Sequence, residues 1–303
     1  MLRHRLGNSE LEVSLVGLGG WALGGGLDWG STEFRDVQRT VDAALESGIN
    51  LIDTAPIYGN SEEVLGRALA GKRSQVVLAT KCGLVKNGSW TDHDLRPQTI
   101  VRQLENSLQN LRTDYIDLYL IHYLDPQVPW QEVLETLGRL KKQGKVRALG
   151  VCNVAPEILE KMLQTGELAC VQEEFSLLHP AKGRSALCVC RQHGVGFVAY
   201  GTLCGGILSG KYQKEPNLRR ADARNYFYKC YRGDNFVQAQ QTVARVKQAA
   251  KEILPAQAAL AWVLAQEGVT CALTGARTPQ QISQNAYAAQ ITLSAEELCN
   301  LQR

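Results

Sequence analysis

Three apolar runs of the chain end on side chains that could take part in proton transfer. The first run ends at Asp53, the second at Lys81 and the third at His122. A phenol, Tyr58, follows the first run on a loop. If the runs are neighbouring parallel strands, these four side chains gather at one edge of a sheet. An acid, a phenol, an amine and an imidazole together predict a proton-donating site for reducing a carbonyl group.

The expected roles follow from ordinary pKa values. A free tyrosine has a pKa of about 10 and is a poor acid at neutral pH. The ammonium of Lys81 is expected to stabilise the phenolate and to lower the pKa of Tyr58, while Asp53 keeps Lys81 charged and in place. His122 is expected to hydrogen-bond the substrate oxygen. The predicted catalytic residues are therefore Asp53, Tyr58, Lys81 and His122.

Eight short apolar runs, alternating with longer amphipathic segments, are the elements that must position these side chains. Short continuous apolar runs are typical of parallel strands buried on both faces. The predicted strands are Leu15–Gly19, Asn50–Asp53, Val76–Lys81, Ile116–His122, Ala148–Cys152, Cys170–Glu173, Gly196–Tyr200 and Cys271–Thr274. Eight strands alternating with helices predict a (β/α)8 TIM barrel, in which functional side chains lie at the carboxyl ends of the strands.

Helices are predicted where apolar residues recur at helical spacing between these runs. They are Thr32–Ser47, Ser61–Ala70, Pro97–Leu111, Trp130–Gln143, Ala155–Thr165, Ala186–His193, Phe236–Leu254, Pro255–Glu267, Pro279–Ala288 and Ala295–Gln302. Ahead of the first strand, Arg3–Leu6 and Leu11–Val13 predict a β-hairpin that closes the bottom of the barrel. A doubly wound open sheet is the structural alternative, but the glycines after the first strand lack the full G-x-G-x-x-G spacing.

Composition narrows the class of protein. The chain has 303 residues, 45% of them hydrophobic, and a net charge of +3. Without a dense run of basic residues, nucleic acid is not expected as the main partner. The first residues lack the apolar core of a secretion signal, and no apolar stretch is long enough to span a membrane. We expect one barrel domain over residues 1–303, in the cytoplasm, as a monomer or small homo-oligomer.

The cysteines indicate the redox environment. Nine are present, an odd number, and they are scattered through apolar runs. Reduced, buried thiols of a cytoplasmic enzyme explain this distribution better than a disulfide framework. Cys188 and Cys190 fall in a predicted helix with no second pair at metal-ligand spacing, so packing is the preferred interpretation and no metal is expected.

The chain resembles the aldo-keto reductase family over nearly its whole length. The similar segments are Asp53–Gly59 (D-T-A-x-x-Y-G in the family), Ala79–Lys81, Leu120–His122, Leu111–Leu118 (L-x-x-D-Y-I-D-L) and Gly144–Val151 (G-K-I-R-x-I-G-V). The resemblance implies a nicotinamide-dependent reductase on a (β/α)8 barrel. It also implies that Asp53, Tyr58, Lys81 and His122 form the catalytic tetrad.

The resemblance also implies cofactor contacts. They are Gly20, Trp21, Asp53, Cys152, Asn153, Gln172, Phe175, Tyr200, Gly201, Thr202, Leu203, Gly205, Gly210, Lys211, Gly275, Ala276, Arg277, Gln281, Gln284 and Asn285. Asn153 and Gln172 match positions that contact the nicotinamide amide, and Phe175 stands where an aromatic ring stacks on the nicotinamide. Tyr200–Lys211 resembles the loop over the pyrophosphate.

The nicotinamide cofactor is expected to be NADP(H), with NAD(H) possible. The segment Thr274–Asn285 is similar to the one that holds the adenosine 2′-phosphate and adenine in the family. Arg277 is a good phosphate partner. Gln281 stands where some members have a second arginine, so only one arginine is available. Gln284 replaces the common glutamate at the adenine.

The resemblance implies that variable loops over the barrel mouth build the substrate pocket. Candidate substrate contacts are Trp21, Tyr58, Trp90, His122 and Tyr123. The predicted reaction reduces aldehydes, ketones or sugar carbonyls, or runs in reverse. Two alternatives stay open: a reductase-like regulatory subunit that binds NADP(H) and turns over slowly, and a barrel enzyme that forms a Schiff base at Lys81.

Overall fold

The structure is a computed structural model that describes residues 1–88, 90–250 and 252–302. Its strands are β1 Arg3–Arg5, β2 Glu12–Ser14, β3 Val16–Gly19, β4 Leu51–Asp53, β5 Val77–Cys82, β6 Leu84–Asn87, β7 Trp90–His93, β8 Ile116–Ile121, β9 Val146–Cys152, β10 Leu168–Glu174, β11 Gly196–Tyr200 and β12 Val269–Gly275. Eight of them close into a parallel barrel, in the order β3, β4, β5, β8, β9, β10, β11, β12. The predicted (β/α)8 TIM barrel is confirmed, and the open sheet is wrong.

Helices cover the outside of the barrel, and the short helices Gly26–Trp29 and Arg224–Phe227 lie in loops at its mouth. They are α1 Gly26–Trp29, α2 Phe34–Glu46, α3 Ser61–Ala68, α4 Pro97–Leu111, α5 Trp130–Lys142, α6 Pro156–Leu163, α7 Pro180–His193, α8 Arg224–Phe227, α9 Gly233–Ala249, α10 Pro255–Leu264, α11 Pro279–Ala286 and α12 Ala295–Gln302. Short 3-10 helices span Trp21–Leu23, Arg73–Gln75, Cys204–Ser209, Lys229–Tyr231 and Tyr287–Gln290. None of the helices in the described ranges is long and apolar enough to cross a membrane.

The largest differences between predicted and observed elements are three. The segment after β5, where no strand is predicted, forms an antiparallel hairpin from β6 and β7. Helix α7 starts at Pro180 rather than Ala186, because a proline suits the first helical turn. Helix α9 ends at Ala249, before the predicted Leu254.

The N-terminal hairpin closes the bottom of the barrel, as the sequence predicted. Strands β1 and β2 pair with each other and not with the barrel. Leu6 and Val13 are fully buried and pack in one cluster with barrel-interior residues such as Leu118 and Val198. The open end is therefore the opposite one, where the carboxyl ends of the strands lie.

Candidate active site

The carboxyl ends of three adjacent strands place three of the predicted catalytic side chains together. Asp53 ends β4 and pairs with Ala79 of β5, and Lys81 of β5 pairs with Leu120 of β8. His122 follows β8 directly, and its backbone N–H donates to the carbonyl of Cys82 at 2.9 Å. Asp53, Lys81 and His122 are all buried at this end of the barrel.

Lys81 and Asp53 form a buried ion pair. The Lys81 ammonium is fully buried and donates to both carboxylate oxygens of Asp53 at 2.7 Å and to the carbonyl of Thr54 at 2.9 Å. Gln172, near the carboxyl end of β10, donates its amide N–H to Asp53 Oδ1 at 2.8 Å. The ammonium is thereby fixed in position and its charge is balanced.

Tyr58 lies on the loop after β4, and a close backbone approach holds this loop. The backbone N–H of Asn60 donates to the carbonyl of Gly24 at 3.2 Å. A Cβ atom at Gly24 would lie 1.8 Å from the carbonyl oxygen of Tyr58, so no larger residue fits there without moving the loop. Gly24 therefore helps to fix the height of Tyr58 at the barrel mouth.

The phenol of Tyr58 reaches both His122 and Lys81. Its hydroxyl lies 3.5 Å from Nε2 of His122, and Lys81 Nζ lies 5.0 Å from the centre of its ring. The indole of Trp21 stacks on the phenol ring, with ring centres 5.7 Å apart. The structure thus brings together all four residues of the predicted tetrad.

Lys81 lowers the pKa of Tyr58 as expected, but the overall shift of that pKa is upward. Burial of the hydroxyl is the largest influence and raises the pKa of Tyr58 well above its ordinary value. The Lys81 ammonium lowers the pKa, but the Asp53 carboxylate acts against it. Because the lysine and its counter-ion sit side by side, the phenol meets little net charge and stays protonated, which is the form that donates a proton.

The two neighbours of the phenol have opposite pKa shifts. Burial disfavours the charged form of Lys81, yet the contact with Asp53 outweighs it and raises the pKa of Lys81. Burial and the nearby Lys81 charge hold the pKa of His122 well below its ordinary range. At neutral pH the group therefore contains a charged lysine and a neutral imidazole.

Asn153 and Tyr200 line the opening beyond His122, after β9 and at the end of β11. Asn153 follows β9 with a left-handed backbone, φ 58°, and its amide N–H donates to the carbonyl of His122 at 3.1 Å. The Tyr200 hydroxyl donates to Oδ1 of Asn153 at 2.7 Å. Gln172 and Cys152 are buried inside the barrel, with the thiol 3.8 Å from the Gln172 carbonyl oxygen.

The structure corrects the expectation that Phe175 stacks on the nicotinamide. Phe175 is fully buried outside the barrel, where its ring packs on Phe197 and on Trp262 of α10 at 5.9 and 5.4 Å between centres. Successive strand residues point to opposite faces, and Gln172 points inward, so Phe175 points outward. The half-buried Tyr200 is the aromatic ring at the opening.

The segment after β11 contains glycines in the left-handed backbone region. Gly201, Gly205 and Gly206 have φ values of 64°, 65° and 100°, which favour glycine. Lys211 Nζ lies 3.5 Å from the point that a Cβ of Gly206 would occupy. Thr202, another predicted cofactor contact, makes a hydrogen bond within the protein: it is buried and donates to the Leu273 carbonyl at 2.7 Å.

Arg277 links the segment after β12 to the first loop. Its guanidinium donates to the carbonyls of Trp29 at 3.0 Å and Ser31 at 2.8 Å. Its backbone N–H donates to the Gln281 side chain at 2.9 Å. A guanidinium has five N–H donors, so Arg277 retains donors for a phosphate.

The neighbouring predicted cofactor contacts have mixed environments. The surface-exposed ones are Gly275, Gln281 and Gln284, whereas Ala276 and Asn285 are buried. The Asn285 amide donates to Thr274 Oγ1 at 2.9 Å, which ties α11 to β12. Gly20 is buried, and its N–H donates to the Asp53 carbonyl at 2.7 Å.

Aromatic rings form one wall above Tyr58. Phe227 of α8 is 63% exposed and meets Trp21 edge-on, with ring centres 4.9 Å apart. Tyr123 stacks on His122 at 5.4 Å. Trp90, predicted as a substrate contact, is 77% exposed on the β6–β7 hairpin. The rings that adjoin the tetrad are thus Trp21 and Tyr123.

Two residues near the opening are absent from the predicted site. One is Phe227, which no local sequence pattern marks. Lys182 of α7 pairs with the fully buried Glu173 at 2.8 Å and donates to Oδ1 of Asn153 at 3.3 Å. A glutamate on the outward face of an apolar strand is the signal that could have indicated such a partner.

Comparison with known proteins gives consistent matches across the chain. A family model described as "Aldo/keto reductase family" matches residues 15–303. The chain is 37% identical to "Aldo-keto reductase YhdN" of Bacillus subtilis over 300 residues, which cover 96% of this chain and 90% of that protein. It is 36% identical to an "NADH-specific methylglyoxal reductase" of Escherichia coli over 319 residues, covering 97% of this chain and 95% of that protein.

A solved structure agrees in fold. The glycerol dehydrogenase AKR11B4 from Gluconobacter oxydans superposes with a TM-score of 0.88 at 35% sequence identity. The match covers 99% of this chain and 93% of that one.

Proposed function

Because the chain belongs to the aldo/keto reductase family and is therefore an NAD(P)H-dependent oxidoreductase, we propose that it reduces small aldehydes and ketones, or oxidises the corresponding alcohols, with Tyr58 as the acid. The observation that carries this proposal is the buried Lys81–Asp53 pair with the phenol of Tyr58 beside it. Residues 1–303 are proposed to work as one domain.

The residues at the barrel mouth fit a nicotinamide dinucleotide. The left-handed glycines after β11 and the Lys211 ammonium beside them suit a pyrophosphate. Arg277 suits a 2′-phosphate, which supports NADP(H) as the preferred cofactor. NAD(H) stays possible because Gln281 stands where some family members have a second arginine. Tyr200, rather than Phe175, is proposed as the ring beside the nicotinamide. When bound, the reduced nicotinamide supplies the hydride that the carbonyl carbon accepts.

The chain's own residues position the carbonyl and supply the proton. The substrate oxygen is proposed to lie between the Tyr58 hydroxyl and Nε2 of His122, which is neutral. As negative charge develops on that oxygen, the phenol O–H bond breaks and its proton moves to the oxygen. The developing phenolate is then stabilised by the Lys81 ammonium. The aromatic wall of Trp21 and Tyr123 limits the access of water to this point.

A Schiff base at Lys81 is not supported by the geometry. An amine must lose its proton to attack a carbonyl carbon. Lys81 is fully buried, donates to both Asp53 oxygens, and has a raised pKa. This lysine is therefore proposed to act as a fixed cation and not as a nucleophile.

The relatives suggest which substrates to test first. One is named for methylglyoxal reduction and one for glycerol oxidation, and both substrates are small and polar. The protein is assayed with a panel of methylglyoxal, glyceraldehyde and an aromatic aldehyde, each with NADPH and with NADH. The absorbance of the reduced cofactor at 340 nm measures its oxidation. The proposal predicts substrate-dependent oxidation of at least one cofactor over many turnovers. Tight cofactor binding without such turnover would instead favour a regulatory subunit.

A further inference from the structure

A buried glutamate that the proposed mechanism does not use holds a lysine beside the barrel mouth. Glu173 of β10 is fully buried, and its Oε1 accepts the backbone N–H of Glu174 at 2.8 Å. Lys182 Nζ lies 2.8 Å from the same oxygen. The other carboxylate oxygen, Oε2, has no hydrogen-bond partner in the part of the chain that the structure describes. Burying a carboxylate is costly unless it is paired, so Glu173 depends on the Lys182 ammonium.

Lys182 connects this carboxylate to Asn153. It is the third residue of α7, and its ammonium donates to Oδ1 of Asn153 at 3.3 Å. The lysine side chain is 55% exposed, and an exposed lysine ordinarily adopts many rotamers. The buried carboxylate restricts this freedom, because an ammonium that moved away would leave a buried charge unpaired. The contact with Glu173 therefore keeps the Lys182 ammonium at Asn153.

The contacts of Asn153 determine the orientation of its side-chain amide. Its Oδ1 accepts from Lys182 Nζ and, at 2.7 Å, from the Tyr200 hydroxyl. An ammonium is a donor only, so the amide atom that it contacts must be the oxygen. The Nδ2 group donates one N–H to the carbonyl of His122 at 3.1 Å. Because an amide oxygen accepts two hydrogen bonds and an amide nitrogen donates two, one N–H of Asn153 remains available.

Asn153 lies between two parts of the proposed site. Its amide N–H binds the backbone of His122, whose Nε2 lies 3.5 Å from the Tyr58 hydroxyl. Its amide oxygen binds the hydroxyl of Tyr200, the ring that is proposed to lie beside the nicotinamide. A side chain that fixes the orientation of Asn153 therefore acts on the cofactor end of the site without touching the catalytic group.

We propose that Lys182 is a positioning residue for the cofactor: held by Glu173, it fixes the Asn153 amide so that one N–H is free for the carbonyl oxygen of the nicotinamide amide. With Lys182 in place, both acceptor positions of Asn153 Oδ1 are occupied, so Asn153 serves the cofactor amide as a donor only. Lys182 is assigned no contact with the cofactor itself. This inference rests on the proposed function, because it concerns how a nicotinamide cofactor is held.

The test compares two ligands that differ only in the nicotinamide part, NADP⁺ and 2′-phospho-ADP-ribose. Calorimetric titration measures both affinities for the native chain and for Lys182→Met, which keeps a long side chain and removes the donor. The variant should bind NADP⁺ about tenfold more weakly, the loss of roughly one hydrogen bond, and should bind 2′-phospho-ADP-ribose within about twofold of native. NAD⁺ and ADP-ribose form the same comparison without the 2′-phosphate. Equal weakening of both ligands, or of neither, would overturn the inference.

Two further variants control for charge and for position. Lys182→Arg keeps donors for both Glu173 and Asn153, so it should restore NADP⁺ affinity to within about threefold of native. Arg184→Met removes an exposed cation from the same helix and should leave both affinities unchanged. The same selective loss of NADP⁺ affinity in Arg184→Met would contradict a specific role for Lys182.

A double variant separates positioning from charge balance. Lys182→Met leaves Glu173 buried without its partner, so this variant should unfold at lower denaturant concentration than the native chain. Glu173→Gln/Lys182→Met removes both charges and keeps an acceptor for the Glu174 N–H, so it should recover most of the lost stability. Its NADP⁺ affinity should stay low. Recovery of NADP⁺ affinity together with stability would show that Lys182 only neutralises Glu173, and would overturn the inference.

The side-chain amide of Asn153 gives a readout that needs no cofactor. In protein labelled with ¹⁵N-asparagine, its resonances are identified by their loss in Asn153→Ser. Lys182→Met should shift these resonances and Arg184→Met should not; unshifted resonances in Lys182→Met would overturn the contact.

The outcomes for the inference and for the proposed function are distinct. A native chain that binds neither NADP⁺ nor NAD⁺ would contradict the proposed function and, with it, the cofactor role of Lys182. A native chain that binds the cofactor, with a Lys182→Met variant that binds it equally well, would contradict the inference alone.

Discussion

Lys81 is fully buried, and its ammonium donates to both carboxylate oxygens of Asp53 at 2.7 Å. The pair holds a positive charge under the phenol of Tyr58 while cancelling most of its effect on the resting hydroxyl. In the proposed mechanism, the phenol therefore stays protonated until charge develops on the substrate oxygen, and the role of Asp53 is to balance and position the lysine.

Asp53→Asn should destabilise the fold strongly, because it leaves the Lys81 ammonium buried without a counter-ion. Removing one partner of a buried pair costs about 3–5 kcal/mol. Chemical denaturation of the variant and the native protein measures the difference. The matched control is Asp42→Asn, which breaks the partly exposed pair with Lys72 and should cost less than about 1 kcal/mol. Equal losses in the two variants would contradict the ion-pair account.

His122 should make the fold less stable at acid pH. Its pKa is held well below the ordinary value, so below about pH 6.5 the unfolded chain binds a proton here that the folded chain does not. Stability is therefore present at neutral pH and is lost as pH falls, with a slope of up to about 1.4 kcal/mol per pH unit. His122→Gln should remove this slope from the unfolding free energy, and His4→Gln, at an exposed position, should keep it. An unchanged slope in His122→Gln would show that the imidazole is not buried as a neutral group.

Arg277→Ala should weaken NADPH binding by at least about tenfold and NADH binding much less, since a charge-assisted phosphate contact is worth about 1.5–3 kcal/mol. Fluorescence titration with both cofactors measures the two affinities. The variant also frees the Trp29 and Ser31 carbonyls, so Arg219→Ala, which removes a contact to the Leu27 carbonyl at 3.5 Å, serves as the control for loosening the same loop. Equal losses for both cofactors would remove Arg277 from the 2′-phosphate.

Tyr200 and Phe175 should respond in opposite ways to truncation. Tyr200→Ala should weaken cofactor binding with a small change in stability, because the ring lies at the opening. Phe175→Ala should cost about 3–5 kcal/mol of stability as a core cavity and leave the cofactor affinity of the folded fraction near the native value. Cofactor titration and chemical denaturation of both variants measure these effects. A loss of cofactor affinity in Phe175→Ala alone would contradict the assignment of Tyr200 as the ring beside the nicotinamide.

The sequence predicted the parts of the site that depend on strand ends. Asp53, Lys81 and His122 each close a buried apolar run, and parallel strands carry such residues to the same rim. The sequence also contained the signal that was overlooked for Phe175: it lies three residues beyond the inward Gln172, so alternation along the strand turns it outward.

Other features depend on three-dimensional contacts that no local pattern specifies. The pKa of Tyr58 follows from the balance between burial and two opposite charges, whose sizes depend on distance. The approach of Phe227 to Trp21 joins segments about 200 residues apart in the chain.

The central claim is that the Tyr58 hydroxyl donates the proton in carbonyl reduction, and Tyr58→Phe tests it most directly. The measurement is the turnover number with saturating NADPH and the best aldehyde of the panel, together with NADPH affinity by fluorescence titration. The account predicts a loss of turnover by a factor of about 10²–10⁴, because the proton donor is gone, with cofactor affinity within about twofold of native because the ring remains. Turnover within about twofold of the native protein would contradict the account.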